Sequence, residues 1–165
     1  MQRVSTTAEV LSQPHPAISF AGPVPQDWAD FNGHMTEWRY LKMFADSSEW
    51  LMAVLGCDPA YIDAGHSFFT AETHVCHLDE ARVGEHVHCA VTCLRASGKI
   101  LYIWQEICAG DRVLATAEQV LIHVSLASRK GAAPLSPVAD NMAQLQALHA
   151  DLPRSDRLGR AIRVK

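Results

Sequence analysis

The longest regular pattern of hydrophobic and polar positions runs from Thr36 to Gly56. Apolar and small side chains recur there at spacings of three and four residues, namely Leu41, Phe44, Ser48, Leu51 and Leu55. This spacing predicts an amphipathic α-helix with one buried stripe. Thr36 is expected to cap its start, and Gly56 to end it in a left-handed backbone conformation. The stripe needs a covering surface, so this helix is predicted to lie in the core.

Downstream of this helix, from Ser67 to Ala127, the hydrophobic period changes to two. In the segment 85–95 the apolar positions alternate with polar or small ones, namely Val87, Cys89, Val91 and Cys93. Three further segments rich in β-branched and aromatic residues have strand character, at 67–79, 99–109 and 112–125. Because the connections are short, sequence neighbours are expected to pair as antiparallel hairpins.

These elements predict an α+β fold. A sheet of about five antiparallel strands, with a short strand near 17–20 at one edge, must cover one face, and the simplest packing wraps it around the central helix. A second, shorter amphipathic helix is predicted after Pro137. The predicted organisation is a flexible arm at 1–14, the main domain at 15–130, and a C-terminal helix with a basic tail at 131–165.

Composition and net charge disfavour some classes of function. The formal net charge is −4, and the body of the chain has no basic stripe with interleaved aromatic residues, which disfavours nucleic-acid binding. Charged residues make up 19% of the chain, below the average of about 25%, which hints that a second subunit covers some surface. The arginine- and lysine-bearing tail is expected to be solvated, with Arg154, Arg157, Arg160, Arg163 and Lys165.

Other patterns bear on location and metal binding. The first 13 residues contain no apolar run, so neither a signal peptide nor a membrane span is predicted and the expected location is cytoplasmic. Five cysteines without a CxxC pair predict reduced thiols rather than disulfides or a zinc site. No metal site is expected, because the histidines lack ligand spacing, including His74, His77, His86 and His88.

The candidate chemistry lies in the turn directly before the helix, Asp30-Phe31-Asn32-Gly33-His34. Asn32-Gly33 is a turn signal, and the turn places a carboxylate beside the unpaired N–H groups of a helix start near Thr36 and Glu37. Such N–H groups stabilise negative charge on an oxygen, and a nearby carboxylate can attack a carbonyl or activate water. The spacing alone favours a structural loop before a capped helix over a catalytic turn.

The run from Asp30 to Met35 resembles the Asp-x-x-Gly-His motif of the 4-hydroxybenzoyl-CoA thioesterase-like family, and Tyr40-Leu41 also matches that family. This resemblance covers about 17–128 and implies the hotdog fold, a long helix wrapped by a curved antiparallel sheet. Three runs are similar to the thioesterase domains attached to, or encoded with, bacterial L-carnitine dehydrogenases, at 32–37, 65–74 and 115–124.

The resemblance implies hydrolysis of a small acyl-CoA thioester, and the closer similarity implies betainyl-CoA in carnitine breakdown. Coenzyme A thioester is then the substrate, no cofactor is expected, and the assembly is expected to be a homodimer or a dimer of dimers. Asp30 is expected to act as nucleophile or general base. Asn32, Gly33 and His34 would shape the turn, and the N–H groups at Thr36 and Glu37 would polarise the carbonyl.

Substrate-binding residues are expected among the aromatic and polar side chains. Trp28 and Trp38 flank the turn and, with Tyr40, are predicted to form a cage for a trimethylammonium group. Glu72 and His74 share one face of a strand that lies at the dimer interface in this fold. Lys99-Ile100 stands where relatives often carry adjacent basic residues, so Lys99 is a candidate coenzyme A contact. Trp50 and Trp104 are predicted to be core residues, and Glu118 is expected to need a partner.

Two alternatives remain at this point. A hotdog acyl-CoA hydratase is disfavoured, since the different Asp and His motif of those enzymes is not found here. A non-catalytic acyl-CoA-binding or assembly protein of the same fold is also compatible with the pattern. Only the thioesterase releases free coenzyme A, so a thiol assay distinguishes it from both.

Overall fold

The computed structural model describes residues 1–160 and places one long helix inside a curved antiparallel sheet. The helices are α1 (Thr7–Val10), α2 (Glu37–Val54), α3 (Pro59–Asp63) and α4 (Val138–Leu148), with a 3-10 turn at Gln26–Trp28. The strands are β1 (Gln2–Arg3), β2 (Ala17–Pro23), β3 (His66–His77), β4 (His86–Ser97), β5 (Ile100–Ala109), β6 (Arg112–Ser125) and β7 (Lys130–Gly131). The α+β class and the central helix are confirmed.

The strand order is β1-β2-β4-β5-β6-β3, with β7 beside β6, so the predicted hairpin between β3 and β4 is wrong. The connection between them, residues 78–85, crosses beneath the start of α2. Ala81 in this connection is fully buried. Its N–H donates to the Tyr40 hydroxyl at 3.0 Å, and its carbonyl accepts the Met35 N–H at 2.8 Å. This crossing carries β4 to β2 and leaves β3 as an edge strand that pairs only with β6 among the described strands.

Helix α2 presents most of its predicted stripe to the sheet, with Phe44, Ser48, Leu51 and Leu55 buried. The helix starts after Thr36, and Gly56 follows it with a φ of +100°. Leu41 is the exception, since it is 48% exposed. It lies at the margin of the buried face, on the side where the sheet ends at β3, so no strand covers it.

The N-terminal arm was predicted to be flexible, but the structure corrects this. Strand β1 pairs with β2, and α1 begins with a reciprocal capping box between Thr6 and Glu9. Val10 is buried in the core cluster that also contains Trp50. This apolar contact anchors residues 1–14 to the main domain.

The C-terminal segment also packs more closely than predicted. Helix α4 lies along the part of β4 that β2 leaves unpaired, since their pairing ends at Val91. The Cys93 N–H donates to Nδ1 of His149 at 2.9 Å, the Ala96 N–H donates to Gln146, and Arg154 donates to the Cys93 carbonyl at 3.0 Å. These side chains satisfy the free edge of β4. Arg163 and Lys165 of the predicted tail lie outside the described residues.

Burial bears on the predictions made for the cysteines and the tryptophans. All five cysteines are free thiols, and Cys89 and Cys93 are fully buried, as the alternating pattern predicted. Trp50 is buried in the core, as predicted, whereas Trp104 is buried but belongs to neither hydrophobic core cluster of the described residues. Across residues 1–160, no helix is long and apolar enough to cross a membrane.

Candidate active site

The acid turn is a compact loop closed by backbone hydrogen bonds. The Asp30 N–H donates to the His34 carbonyl at 2.8 Å, and the Gly33 N–H donates to the Asp30 carbonyl at 3.1 Å. Gly33 has a φ of +81°, a conformation that side-chain-bearing residues rarely adopt, so glycine suits this position. The turn predicted from Asn32-Gly33 is therefore present.

The Asp30 carboxylate is oriented by the same turn. Its Oδ1 atom accepts the N–H of Asn32 at 2.8 Å and that of His34 at 3.1 Å. The bond from His34, with that from Asn32, holds the pKa of this carboxyl below its ordinary value. Oδ2 has no hydrogen-bond partner in the described part of the chain. One oxygen of the ionised carboxylate is therefore free to react.

Two backbone N–H groups at the start of α2 are available for an oxyanion. The Thr36 N–H is already donated to the Trp28 carbonyl at 2.9 Å, so the expectation that it polarises a carbonyl is corrected. The N–H groups of Glu37 and Trp38 have no acceptor within residues 1–160, as is usual for the first positions of a helix. The donor pair is therefore Glu37 and Trp38. The Thr36 hydroxyl is buried without a partner there and does not cap the helix.

His34 is turned toward an acidic neighbour. Its Nε2 lies 3.4 Å from a carboxylate oxygen of Glu80, and its side chain is 26% exposed. A backbone bridge to Arg82 also holds His34 beside the 78–85 connection. Asn32 and Gly33 are exposed at the tip of the turn beside Phe31, which is 97% exposed. The imidazole thus helps fasten the turn to the connection beneath it.

A groove of about 480 Å³ opens between the first turns of α2 and the end of β3, and it is lined by Thr36, Glu37, Trp38, Leu41, Val75 and His77. Trp38 is 56% exposed, and its indole forms one wall. Because this groove begins at the two free N–H groups, a thioester bound to them would place its acyl group here. The groove is the candidate acyl site.

The predicted three-ring cage is not formed. The Tyr40 side chain is buried, and its hydroxyl accepts the Ala81 N–H, so it does not face the groove. The surfaces of Trp28 and Trp38 instead contact the guanidinium of Arg39, which lies 5.0 Å and 3.9 Å from their ring centroids. Within residues 1–160, Trp38 is the tryptophan that lines the groove, so a substrate cation bound there would contact its indole.

The other predicted contacts lie away from the acid turn in the same chain. His74 pairs with Glu118 across β3 and β6, on the sheet face that points away from α2. Gln119, the next residue on β6, is buried on the face that points toward α2. Glu72 and His74 line a separate depression of about 500 Å³ with Glu118. Glu118 has the expected partners, since it accepts the Tyr102 hydroxyl and the Gly159 N–H.

Lys99 lies in the turn between β4 and β5. The acid turn is bridged to Arg82, just before β4 begins, whereas Lys99 follows the end of that strand. A strand of 12 residues is about 40 Å long. Lys99 is therefore far from Asp30 within one chain.

The sequence model of the thioesterase-like superfamily matches residues 24–145, which include the acid turn, α2 and the four long strands. The chain belongs to the thioesterase-like superfamily. Among curated relatives, it is 44% identical to the L-carnitine dehydrogenase/betainyl-CoA thioesterase of Ruegeria pomeroyi over 90% of this chain and 30% of that protein. It is 34% identical to the betainyl-CoA thioesterase of Pseudomonas aeruginosa over 87% of this chain and 92% of that protein.

The chain spans about three tenths of the length of the dehydrogenase-linked relatives it matches. Among solved structures, it resembles a Staphylococcus aureus protein in complex with CoA, with a TM-score of 0.83 and 18% identity over 88% of this chain and 94% of the other. A candidate thioesterase from Pseudomonas putida KT2440 gives a TM-score of 0.73 and 28% identity over 91% and 97% of the two chains. The family resemblance inferred from the motif and the hotdog fold are confirmed.

In this thioesterase-like superfamily member, sequence reasoning missed two features of the site. One is the Trp38 N–H, which replaces Thr36 in the donor pair because Trp28 occupies the Thr36 N–H. The other is Arg39, whose guanidinium contacts the rings of both Trp28 and Trp38. The sequence shows a cation next to Trp38, but the orientation of the Arg39 side chain depends on where the 3-10 turn places Trp28.

Proposed function

We propose that this chain hydrolyses acyl-CoA thioesters and that betainyl-CoA is its substrate. The observation that carries the proposal is the Asp30 carboxylate, with Oδ2 free among the described residues, in the turn that leads into the free Glu37 and Trp38 N–H groups. The names of the relatives, betainyl-CoA thioesterase among them, support this substrate.

The reaction follows from the two groups. The thioester oxygen accepts hydrogen bonds from the Glu37 and Trp38 N–H groups, which stabilise the negative charge that develops on it. Asp30 either attacks the carbonyl carbon to form a mixed anhydride or takes a proton from an attacking water. In either route the carbon–sulfur bond breaks, the coenzyme A thiolate leaves and is protonated, and water supplies the second oxygen of the carboxylate product.

The groove suits a compact cationic acyl group. The outer face of the Trp38 indole offers a cation–π surface, and the exposed Glu37 carboxylate is adjacent to it. A trimethylammonium group bound there contacts one aromatic face and one carboxylate instead of the three-ring cage predicted from sequence. The same groove provides apolar contacts to its methyl groups through Leu41 and Val75.

We also propose that the active form contains a second copy of the chain. Strand β3 is a 12-residue edge, and the neighbouring apolar side chains of Trp38, Leu41 and Phe69 are exposed. A two-fold pairing of β3 edges would cover them and bring the Lys99 end of one copy toward the acid turn of the other. The cytoplasmic location and the absence of a cofactor remain predictions.

The assembly is tested by light scattering after size-exclusion chromatography. The wild-type chain is expected to elute with at least twice the monomer mass. Leu41→Lys places a charge on the proposed interface and should shift the mass to the monomer, whereas Ile62→Lys, at an exposed site on α3, should not. A monomeric wild-type chain would contradict the proposed assembly.

The activity is tested by following free-thiol release from a panel of acyl-CoA thioesters. The panel contains betainyl-CoA, its neutral analogue of the same shape, 3,3-dimethylbutanoyl-CoA, and unbranched acyl-CoAs. Asp30→Asn should lower kcat by about a hundredfold or more, since the nucleophile or base is lost. Asp63→Asn, which changes an acid at the end of α3, should retain activity. Thiol release by Asp30→Asn at the wild-type rate would reject the assignment.

A further inference from the structure

A buried polar network lies between α2 and the sheet. Gln105, Gln119 and Ser48 are 0%, 3% and 4% exposed. The Gln105 Nε2 donates to the Ser48 hydroxyl at 3.1 Å and to Gln119 Oε1 at 2.7 Å. Gln119 Oε1 also accepts the Ser48 hydroxyl. Neither the acid turn nor the oxyanion donors contact this network.

The network lies farther along the helix side and the strand face that line the acyl groove. Trp38, Leu41 and Ser48 occupy one side of α2, at helical spacings of three and seven residues. On β3, Val75 lines the groove and Thr73 is the next residue on the same strand face. Gln119 Nε2 donates to the Thr73 hydroxyl at 3.1 Å. Hydrogen bonds among Ser48, Gln119 and Thr73 therefore join α2 to β3 beyond the residues that line the groove.

The helical spacing gives the distance from the groove lining to the network. Leu41 lines the groove, and Ser48 follows it by seven residues, which corresponds to about 10 Å along the helix axis. A longer acyl chain would have to separate Gln119 from Thr73 or from Ser48. Buried amide and hydroxyl groups left without partners are strongly unfavourable, and members of a connected network lose several bonds together.

We propose that Gln119, held by Ser48, Gln105 and Thr73, limits the length of the acyl group that the groove accepts. The inference rests on the proposed thioesterase function and refines its substrate class to short or compact acyl groups. Gln119 is a specificity-determining residue in this proposal, and Asp30 and the helix N–H groups retain their roles.

The test compares thiol release from unbranched acyl-CoAs, from acetyl-CoA to dodecanoyl-CoA, by the wild-type chain and by Gln119→Ala. The wild-type kcat/KM is expected to fall sharply beyond short chains. In Gln119→Ala the groove extends inward, so kcat/KM for octanoyl- or decanoyl-CoA relative to acetyl-CoA should rise by about tenfold or more. Gln105→Ala is the matched control, because it removes the same side chain from the same network one strand farther from β3.

Two results would overturn the inference in an active wild-type chain. One is an unchanged chain-length profile in Gln119→Ala, and the other is an equal shift in Gln105→Ala, which would indicate general loosening. Absence of thiol release from every substrate by the wild-type chain would instead reject the proposed function.

Binding of S-alkyl-CoA thioethers, which lack the reactive carbonyl, tests the length limit in the wild-type chain. This experiment can therefore be done even if Gln119→Ala fails to fold. Affinity should stop rising after a short alkyl group. A continued rise to S-decyl-CoA would overturn the inference.

Discussion

The guanidinium of Arg39 lies 3.9 Å from the ring centroid of Trp38 and is not among the residues that line the acyl groove. Arg39 also lies 5.0 Å from the Trp28 ring, donates to the Asp27 carbonyl at 3.2 Å, and is 3.6 Å from the Asp27 carboxylate. One side chain thus joins the first turn of α2 to the segment that precedes the acid turn. The protein's own cation occupies the aromatic surfaces that sequence reasoning assigned to the substrate.

The first prediction concerns the outer face of Trp38. Trp38→Leu removes a cation–π contact but keeps the backbone N–H donor, so kcat/KM for betainyl-CoA should fall about 3- to 30-fold more than that for 3,3-dimethylbutanoyl-CoA. Steady-state kinetics on both substrates measures this difference. Trp104→Phe, at a buried tryptophan on the other sheet face, should affect both substrates alike. Equal losses in Trp38→Leu would discard the cation contact.

The second prediction concerns Arg39. Arg39→Met removes the cation–π contact between Arg39 and Trp38, which contributes up to about 2 kcal/mol, and so should release the Trp38 indole. We expect kcat/KM for betainyl-CoA to fall by about tenfold. Arg39→Lys should not restore activity, because an ammonium group lacks the planar surface that stacks on indole. Acrylamide quenching of tryptophan fluorescence should rise in both variants. Wild-type kinetics and quenching in Arg39→Met would show that the stack does not position Trp38.

The third prediction follows from the lowered pKa of Asp30. The N–H groups of His34 and Asn32 favour the ionised carboxylate, which is the form that attacks or takes a proton. The acidic limb of kcat/KM against pH should therefore lie below about 4, the ordinary value of an aspartate. An acidic limb near pH 6 to 7 would contradict the assignment of this limb to Asp30.

The fourth prediction concerns stability and His149. Burial, with the nearby Arg154 cation, lowers the pKa of His149 to about 4 in the folded state, and its Nδ1 accepts the Cys93 N–H. The unfolded state, with a pKa near 6.5, binds the proton more readily between these values. Stability contributed by neutral His149 is present above pH 6.5 and should be lost, by up to about 3 kcal/mol, as pH falls toward 4.

Denaturant unfolding at pH 7.5 and 4.5 measures this loss. His149→Gln should show a smaller decrease between the two pH values than the wild-type chain, because the titrating group is absent. His86→Asn, at an exposed position on β4, should match the wild-type chain. The comparison of variants separates His149 from the carboxylates of Asp79 and Glu85, whose lowered pKa values also reduce stability in acid. An equal decrease in His149→Gln would exclude His149 as the cause.

Much of the candidate site was accessible from sequence because its determinants are local. The acid, the Asn32-Gly33 turn and the helix start are contiguous, so their spacing and turn preferences were sufficient to place them together. The expected donor at Thr36 was wrong because Trp28 takes its N–H, and Trp28 is eight residues away. Tyr40 was assigned to the cage because its neighbours are aromatic, but a backbone N–H from the 78–85 connection fixes its hydroxyl in the core.

The sequence by itself determined the long helix, the four long strands and the acid turn, since hydrophobic period and turn chemistry depend on residues close along the chain. Tertiary structure decided which strands are neighbours, because the buried Ala81 crossing sends β4 to β2 and leaves β3 at the edge. It also decided that Arg39 stacks between two tryptophans and that Gln119 meets Ser48 and Thr73. The contacts of Arg39 with Trp28 and of Gln119 with Ser48 and Thr73 join residues that are separated in sequence, so no local pattern records them.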